Sequence, residues 1–380
     1  MKCLPFLKAI KKMTLTAIDA FAGGGGLTVG LKRAGFHVVA AVELEHHAFA
    51  TYKANHPEVH GLNQDIATVS GAALLKHVET DRIDLLAGCP PCQGFTSLTA
   101  KYKGKEDPRN KFVLEMARLT EEIMPRAIMM ENVPGLTKKG GSLYRQLQER
   151  LKALDYRLTD GVLQVADYGV PQCRRRLVLL GGLGFEISLP DATHSRCPTE
   201  TLAAWRTVRD SIAGMAQPVT LSQAKAKGNV EGSDWHVVRD LSPQNLQRLR
   251  LAKAGKTWQQ IPERFRPTCH RDGYRGFTNV YGRMEWDRPA PTITGGCTTL
   301  SKGRFGHPDA DRTISVREAA LLQTFPQNYR LDSPYMDYVC NIIGNALPCD
   351  FAEAIARQCA RQLRQNSDQL ATTHGLDDNG

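Results

Sequence analysis

The sequence predicts an α/β fold, a doubly wound and mostly parallel sheet joined to a smaller, irregular domain. Two observations carry that expectation. Over residues 13–182 strand and helix signals alternate, the pattern of an open sheet with helices packed on both faces. From residue 183 to 287 the chain instead turns irregular and rich in Arg, Gly and Pro. With 380 residues, of which 42% are hydrophobic, it is long enough for one large α/β domain and a smaller one.

The first strand is Leu15-Thr16-Ala17-Ile18. Asp19 opens a glycine turn that runs through Phe21 to Gly23, Gly24, Gly25 and Gly26, and a helix follows with Leu27, Gly30, Leu31 and Ala34 at helical spacing. Gly35 stops it. A turn of this kind suggests a nucleotide, yet the dinucleotide fingerprint fails, because Thr28 stands where its third glycine should fall. A second strand, His37-Val38-Val39-Ala40-Ala41-Val42, ends in Glu43, a carboxylate placed to accept from both hydroxyls of a ribose or else a plain surface acid. Asp65-Ile66 follows a third turn.

The apolar run Ile83-Asp84-Leu85-Leu86-Ala87 reads as a buried strand and delivers Gly88-Cys89-Pro90-Pro91-Cys92-Gln93. Chemistry collects beyond the carboxyl ends of such strands. The two prolines fix φ and remove two backbone donors, so the approach to Cys92 is stiff. A similar strand, Arg126-Ala127-Ile128-Met129-Met130, delivers Glu131-Asn132-Val133, so thiol and carboxylate share one rim. A lone Cys is more often a small buried hydrophobe, and Cys89 with Cys92 has the spacing of half a zinc or redox site. No second Cys-x-x-Cys completes one. Further on, Gln172-Cys173-Arg174-Arg175-Arg176 precedes the apolar Leu177-Val178-Leu179-Leu180; read alone, it is a solvated strand entrance or a phosphate clamp.

Charge and cysteine usage narrow the class. Lys and Arg outnumber Asp and Glu by 49 to 39, giving +10 and favouring a polyanionic partner. The ten cysteines follow no framework spacing, which favours a reducing compartment. The first twelve residues make a poor signal peptide, no run of about 18 apolar residues follows, and no internal repeat is evident. A cytoplasmic protein is expected, with no membrane and no metal.

The Pro-Cys-Gln and Glu-Asn-Val pair resembles the DNA cytosine-5 methyltransferases of bacterial type. The resemblance implies a Rossmann-like catalytic domain and methyl transfer from S-adenosylmethionine to carbon 5 of a cytosine flipped out of a specific duplex sequence. It makes Cys92 the nucleophile at carbon 6 and Glu131 the acid at N3; Arg176 reaches the cytosine carbonyl oxygen and Arg174 steadies the loop or pocket. S-adenosylmethionine carries no phosphate, so its turn needs only bare backbone. Its implied pocket comprises Phe21, Gly23, Gly24, Gly25, Gly26, Glu43 on the ribose, Leu44 where relatives often place an aromatic, Asp65 on the adenine amino group, Ile66, Pro91, Phe112, Asn345 and Ala346.

Residues 96–110 match the family's mobile catalytic loop, and Gln93, Thr96, Ser97 and Arg109 are implied to meet DNA. Arg317-Glu318-Ala319 through Phe325-Pro326 looks like a motif that supports target recognition, and Gly344-Asn345-Ala346-Leu347-Pro348 like one that closes the cofactor pocket. Residues 13–182 with 335–364 would form the catalytic domain, 183–334 the target-recognition domain, and 1–12 and 365–380 flexible termini, after a helix near residues 351–363. Within 183–287, Arg271, Arg275 and Arg283 flank glycines and are expected on DNA. The expected partners are double-stranded DNA and a cognate restriction endonuclease acting on the same site without stable contact, the enzyme itself being a monomer. Two rivals are the same chemistry on a structured RNA, whose Cys-Phe-Thr signature is missing here, and a silent DNA-binding regulator, which would normally have lost the thiol or glutamate.

Overall fold

A computed structural model describes residues 14–76, 78, 82–91, 111–138, 140–228, 234–271, 273 and 276–377. Its first half alternates as expected: β1 (Leu15–Asp19), α1 (Gly26–Arg33), β2 (Phe36–Val42), α2 (His46–Asn55), β3 (His60–Leu62), α3 (Gly71–Leu75), β4 (Leu85–Gly88), α4 (Phe112–Ile123), β5 (Ala127–Asn132), α5 (Gly141–Ala153), β6 (Tyr156–Gln164) and β7 (Arg175–Leu183). The seven strands form one sheet in the order β3-β2-β1-β4-β5-β7-β6. β1 to β5 pair in parallel, whereas β7 inserts antiparallel between β5 and β6. The order reverses between β1 and β4, where Asp19 is level with Ala87. In doubly wound sheets such a reversal is where ligands bind.

Central strands are buried on both faces, which explains why they read as continuous apolar runs. Successive residues alternate between two cores. Ala17, Leu85, Ala127 and Met129 join α1 and the last helix on one side; Ile18, Leu86, Ile128 and Met130 join α4 and α5 on the other.

The second half opens with three short helices, α6 (Val208–Ile212), α7 (Leu221–Ala226) and α8 (Pro243–Leu251). After α9 (Val316–Leu322) and α10 (Met336–Asn345), the chain returns to the sheet through α11 (Cys349–Asp377). Trp235, Met284, Phe305, Val316, Phe325, Val339 and Ile343 build a separate core here, so α10 packs with this half while Phe351, Ile355, Cys359 and Leu363 of α11 pack on the sheet. α11 and α1 lie so close that a Cβ on Gly30 would come within 2.5 Å of the Ala352 methyl group.

The helix expected near residues 351–363 runs on to Asp377. Adding residues to a nucleated helix costs far less than starting one. Arg126 also clasps the junction, with Nη2 2.9 Å from Leu363 O and 2.5 Å from Ser367 Oγ. Among the described residues no helix is long and apolar enough to cross a membrane.

Candidate active site

The rim beyond β4 and β5 is drawn together by two contacts. Glu131 and Asn132 close β5, and the antiparallel register places them opposite Val178 and Leu177 of β7, just past Arg176. Arg176 Nε lies 2.6 Å from Glu131 Oε1, with both side chains largely shielded from solvent. Asn132 Nδ2 donates to Pro90 O at 3.2 Å, and Asn132 Oδ1 accepts from Val133 N. The carboxyl end of β5 is thereby fastened to the proline turn after β4, next to Pro91. Cys92, Gln93, Thr96, Ser97 and Arg109 lie outside the described residues. Cys89 is described; burial, and after it the Glu131 carboxylate, pushes its thiol well above the ordinary range, which keeps it protonated.

Arg174 and Gln172 turn away from this rim into a buried polar seam. Gln172 Nε2 donates to Gln323 Oε1 at 2.6 Å while its Oε1 accepts from Ile293 N, and Gln323 Nε2 continues to Ile343 O at 2.6 Å. Arg174 Nη1 donates to Ile293 O and to Gly344 O at 3.0 and 3.1 Å. The entrance to β7, the 290–294 segment and the end of α10 are thus held as one unit. A steadying role suits Arg174. Gln323 lies in the 317–326 motif, but its pairing with Gln172 had no signal in the sequence, nor did Ile293, because only the fold shows which buried amide and which backbone group need each other.

The residues expected around a cofactor lie just past the carboxyl ends of β1, β2 and β3, at the start of α4 and at the end of α10. Glu43 Oε2 accepts from Gly23 N at 2.8 Å and Oε1 from Glu45 N at 2.7 Å, and burial raises its pKa despite these bonds. Leu44 beside it is 61% exposed, an apolar surface open to a partner. Asp65 caps the next short helical turn through Ala67 N, with Ile66 buried behind it. Phe21 meets Phe112 edge-on, ring centroids 6.5 Å apart. Asn345 ends α10, and the Ala346 methyl group faces Gly26.

The four glycines divide by use. Gly24, Gly25 and Gly26 are hemmed in by Ile342, by Tyr329 with His56, and by the Leu347 carbonyl, whereas a Cβ on Gly23, whose φ is +53°, would meet nothing within 4 Å. Gly23 alone of the four presents bare backbone to open space. Asp19 beneath the turn is fully buried, accepts from Thr28 Oγ1 at 2.7 Å, and is pushed up to about 7 chiefly by that burial. Carboxylate acceptors, an exposed apolar side chain and a turn without a basic residue from Gly23 to Val29 fit a sugar and base better than a phosphate.

One DNA-facing expectation is overturned. Arg283 is buried: its guanidinium donates to Leu249 O, Ala252 O, His307 O and Ala310 O, and Nη2 pairs with Asp311 at 2.5 Å. A side chain so fully engaged within the fold cannot also read a base edge. Arg271 keeps part of its surface while donating to the Arg264 and Arg266 carbonyls. Arg275 lies outside the described residues.

Sheet order, proline turn and glutamate rim define an α/β fold with a polar rim beyond the carboxyl ends of its central strands. The family model for C-5 cytosine-specific DNA methylases matches residues 15–361, and the chain belongs to that family: it is a DNA cytosine-5 methyltransferase acting on DNA. The type II methylase M.HgiDII of Herpetosiphon aurantiacus is 36% identical over 356 residues, covering 92% of this chain and 96% of that one. The type II methyltransferase M1.HphI of Haemophilus parahaemolyticus is 34% identical, covering 90% and 86%. In fold the chain is similar to a candidate DNA modification methyltransferase encoded within an Escherichia coli prophage, with a TM-score of 0.68 at 24% identity over 92% of this chain and 99% of that one.

Proposed function

We propose that the protein transfers a methyl group from S-adenosylmethionine to carbon 5 of a cytosine flipped out of a specific duplex sequence, through a covalent bond from Cys92 to carbon 6. The observation that carries this reading is the Glu131–Arg176 pair at 2.6 Å, beside the proline turn that leads to Cys92. On a cytosine ring N3 and the carbonyl oxygen are neighbouring atoms. A carboxyl group and a guanidinium held side by side match that edge, Glu131 delivering a proton to N3 and Arg176 donating to the oxygen.

With N3 protonated, the Cys92 thiolate adds to carbon 6 and the electrons of the 5,6 double bond move to carbon 5. Bound S-adenosylmethionine supplies the sulfonium methyl group that carbon 5 then takes up. Transfer of the carbon-5 proton to a water molecule restores the double bond and expels the thiolate. Glu131 takes back the N3 proton as the ring returns to neutrality. Cys89 does not compete for the first step, because burial above all keeps its thiol protonated. Glu43, Leu44, Asp65, Ile66, Phe21, Pro91, Phe112 and Asn345 would line the cofactor side, with Gly23 offering the bare backbone.

Residues 183–334 serve as the recognition domain and 13–182 with 335–364 as the catalytic one, although α10 of that last segment packs in the core of the recognition half and only α11 packs on the sheet. Gln93, Thr96, Ser97, Arg109, Arg271 and Arg275 meet the DNA. The similarity to type II methylases supports a restriction–modification role, with a cognate endonuclease that shares the site without stable contact and a monomeric enzyme in the cytoplasm. Bisulfite sequencing of mixed-sequence DNA after incubation with S-adenosylmethionine tests the reading. Protected cytosines within one recurrent sequence are expected, and unprotected DNA alongside methylated RNA would overturn it.

A further inference from the structure

Behind the glycine turn runs a chain of hydrogen bonds that none of the roles above uses. Tyr329 Oη lies 2.6 Å from Gly24 O, so the phenol donates its one proton to that carbonyl. His56 Nε2, 3.1 Å from Tyr329 Oη, must then be the donor to that hydroxyl. The other ring nitrogen is left to accept, and Lys32 Nζ stands 2.8 Å from Nδ1, itself paired with Glu58. This order requires a neutral imidazole. Burial first, and Lys32 second, hold His56 down to about 4, so it is neutral at physiological pH.

The turn is shaped around these two side chains, both buried. A Cβ on Gly25 would come within 2.3 Å of Tyr329 Oη and 2.7 Å of His56 Nε2. The Gly24 carbonyl and the Gly25 amide share one rigid peptide plane, so fixing the carbonyl also aims the Gly25 N–H, which donates to Ala22 O at 2.8 Å. Gly23 on the other side is fixed by Glu43. Tyr329 meanwhile belongs to the second core: its ring packs on Phe325 at 4.9 Å, and its carbonyl accepts from Arg317 Nη1 at 2.9 Å. Arg317 N in turn donates to Trp235 O.

We propose that Tyr329, oriented by His56 and Lys32, is a positioning residue that sets the 23–26 turn for the methyl donor from the recognition half of the molecule. The inference rests on assigning that turn to S-adenosylmethionine. Replacing Tyr329 by Phe keeps the ring and removes only the hydroxyl. Calorimetry should then show the dissociation constant for S-adenosylmethionine rising about threefold to tenfold, the range expected for one neutral hydrogen bond. KM for the donor should rise by the same factor, with kcat at saturating donor within about twofold.

In the cofactor-free protein, amide hydrogen exchange over residues 19–30 should quicken in Tyr329→Phe, while α11 exchanges as before. His56→Gln, which can still donate to the phenol, should keep most of the affinity. His56→Phe should match Tyr329→Phe, and the double variant should bind no more weakly than either. Wild-type protein that binds S-adenosylmethionine alongside a Tyr329→Phe variant with equal affinity and unchanged exchange would overturn the proposal. Should the wild type itself fail to bind, the cofactor assignment falls, and the exchange comparison alone still decides whether Tyr329 holds the turn.

Discussion

Arg176 and Glu131 meet across the β5–β7 pairing, Nε to Oε1 at 2.6 Å, where an antiparallel strand enters an otherwise parallel sheet. The reversal matters for the chemistry. A parallel neighbour would bring a carboxyl end to this rim, whereas antiparallel β7 brings its start, and with it the arginine that precedes its apolar run.

Glu131→Gln keeps the shape and can donate a hydrogen bond, but it has no acidic proton to deliver to N3. General acid–base catalysis contributes about 10²–10⁴-fold, so single-turnover methylation should slow by about that factor with DNA affinity little changed. Arg176→Met should do more, leaving Glu131 unpaired in a shielded site at a cost of about 3–5 kcal/mol in stability. Rapid-quench kinetics with a parallel binding titration separates the effects. Weaker binding with intact chemistry in Glu131→Gln would reduce Glu131 to a base-positioning group.

The two thiols of the proline turn can be told apart by trapping. DNA with 5-fluorocytosine at the target should hold the enzyme covalently, since fluorine cannot leave carbon 5 as a proton does. Cys92→Ser should abolish trapping and keep DNA binding, while Cys89→Ser should trap normally, because burial and Glu131 keep the Cys89 thiol protonated. Denaturing gels read the result directly. Trapping that survives in Cys92→Ser and disappears in Cys89→Ser would reverse the assignment.

How much of this was legible in the sequence follows from how local each signal is. β1, β4 and β5 are short apolar runs followed by the residues proposed to react or bind, so their pattern and their place on the rim could be read together. The antiparallel insertion of β7 had no such mark, since a buried run looks the same in either direction. The Gln172–Gln323 seam and the Tyr329–Gly24 bond join residues far apart in the chain, and no spacing rule reaches them. Arg283 misled for a related reason. Its neighbouring Gly282 suggests an exposed loop, but the carbonyls that surround the guanidinium come from other segments, and only packing reveals them.

Asp19 predicts a pH dependence of stability. Burial pushes it up to about 7 from an ordinary 3.8, so the folded chain holds this proton more tightly than the unfolded one. Its contribution is fully present below about pH 4, is lost as pH rises through about 7, and levels off beyond; the slope between is about 1.4 kcal/mol per pH unit. Asp19→Asn keeps an acceptor for Thr28 and has nothing to titrate. Urea midpoints at several pH values should show the variant gaining on wild type between about pH 4 and 7, with a constant gap above. A gap independent of pH would mean that Asp19 is ionised in the fold at little cost.

Transfer of sequence specificity should depend on where a graft ends. The segment 183–287 contains the irregular, arginine-rich stretch, but Arg283 within it is tied to Asp311 and to the His307 and Ala310 carbonyls beyond it. A graft of 183–287 onto a relative with a different target would separate this buried guanidinium from those partners, and an uncompensated buried charge costs about 3–5 kcal/mol. Extending the graft to residue 334 keeps the set together. The longer chimera should therefore fold and carry the donor's methylation pattern, while the shorter one melts lower and loses activity. Arg283→Ala in the parent enzyme should act like the short graft, lowering the melting temperature without relaxing choice at any single base. Arg271→Ala should instead leave melting nearly unchanged and weaken DNA binding by about 1–3 kcal/mol if it meets a guanine edge. Bisulfite patterns and thermal melts of the four proteins decide the matter. An active long chimera that keeps the recipient's pattern would place recognition outside 183–334.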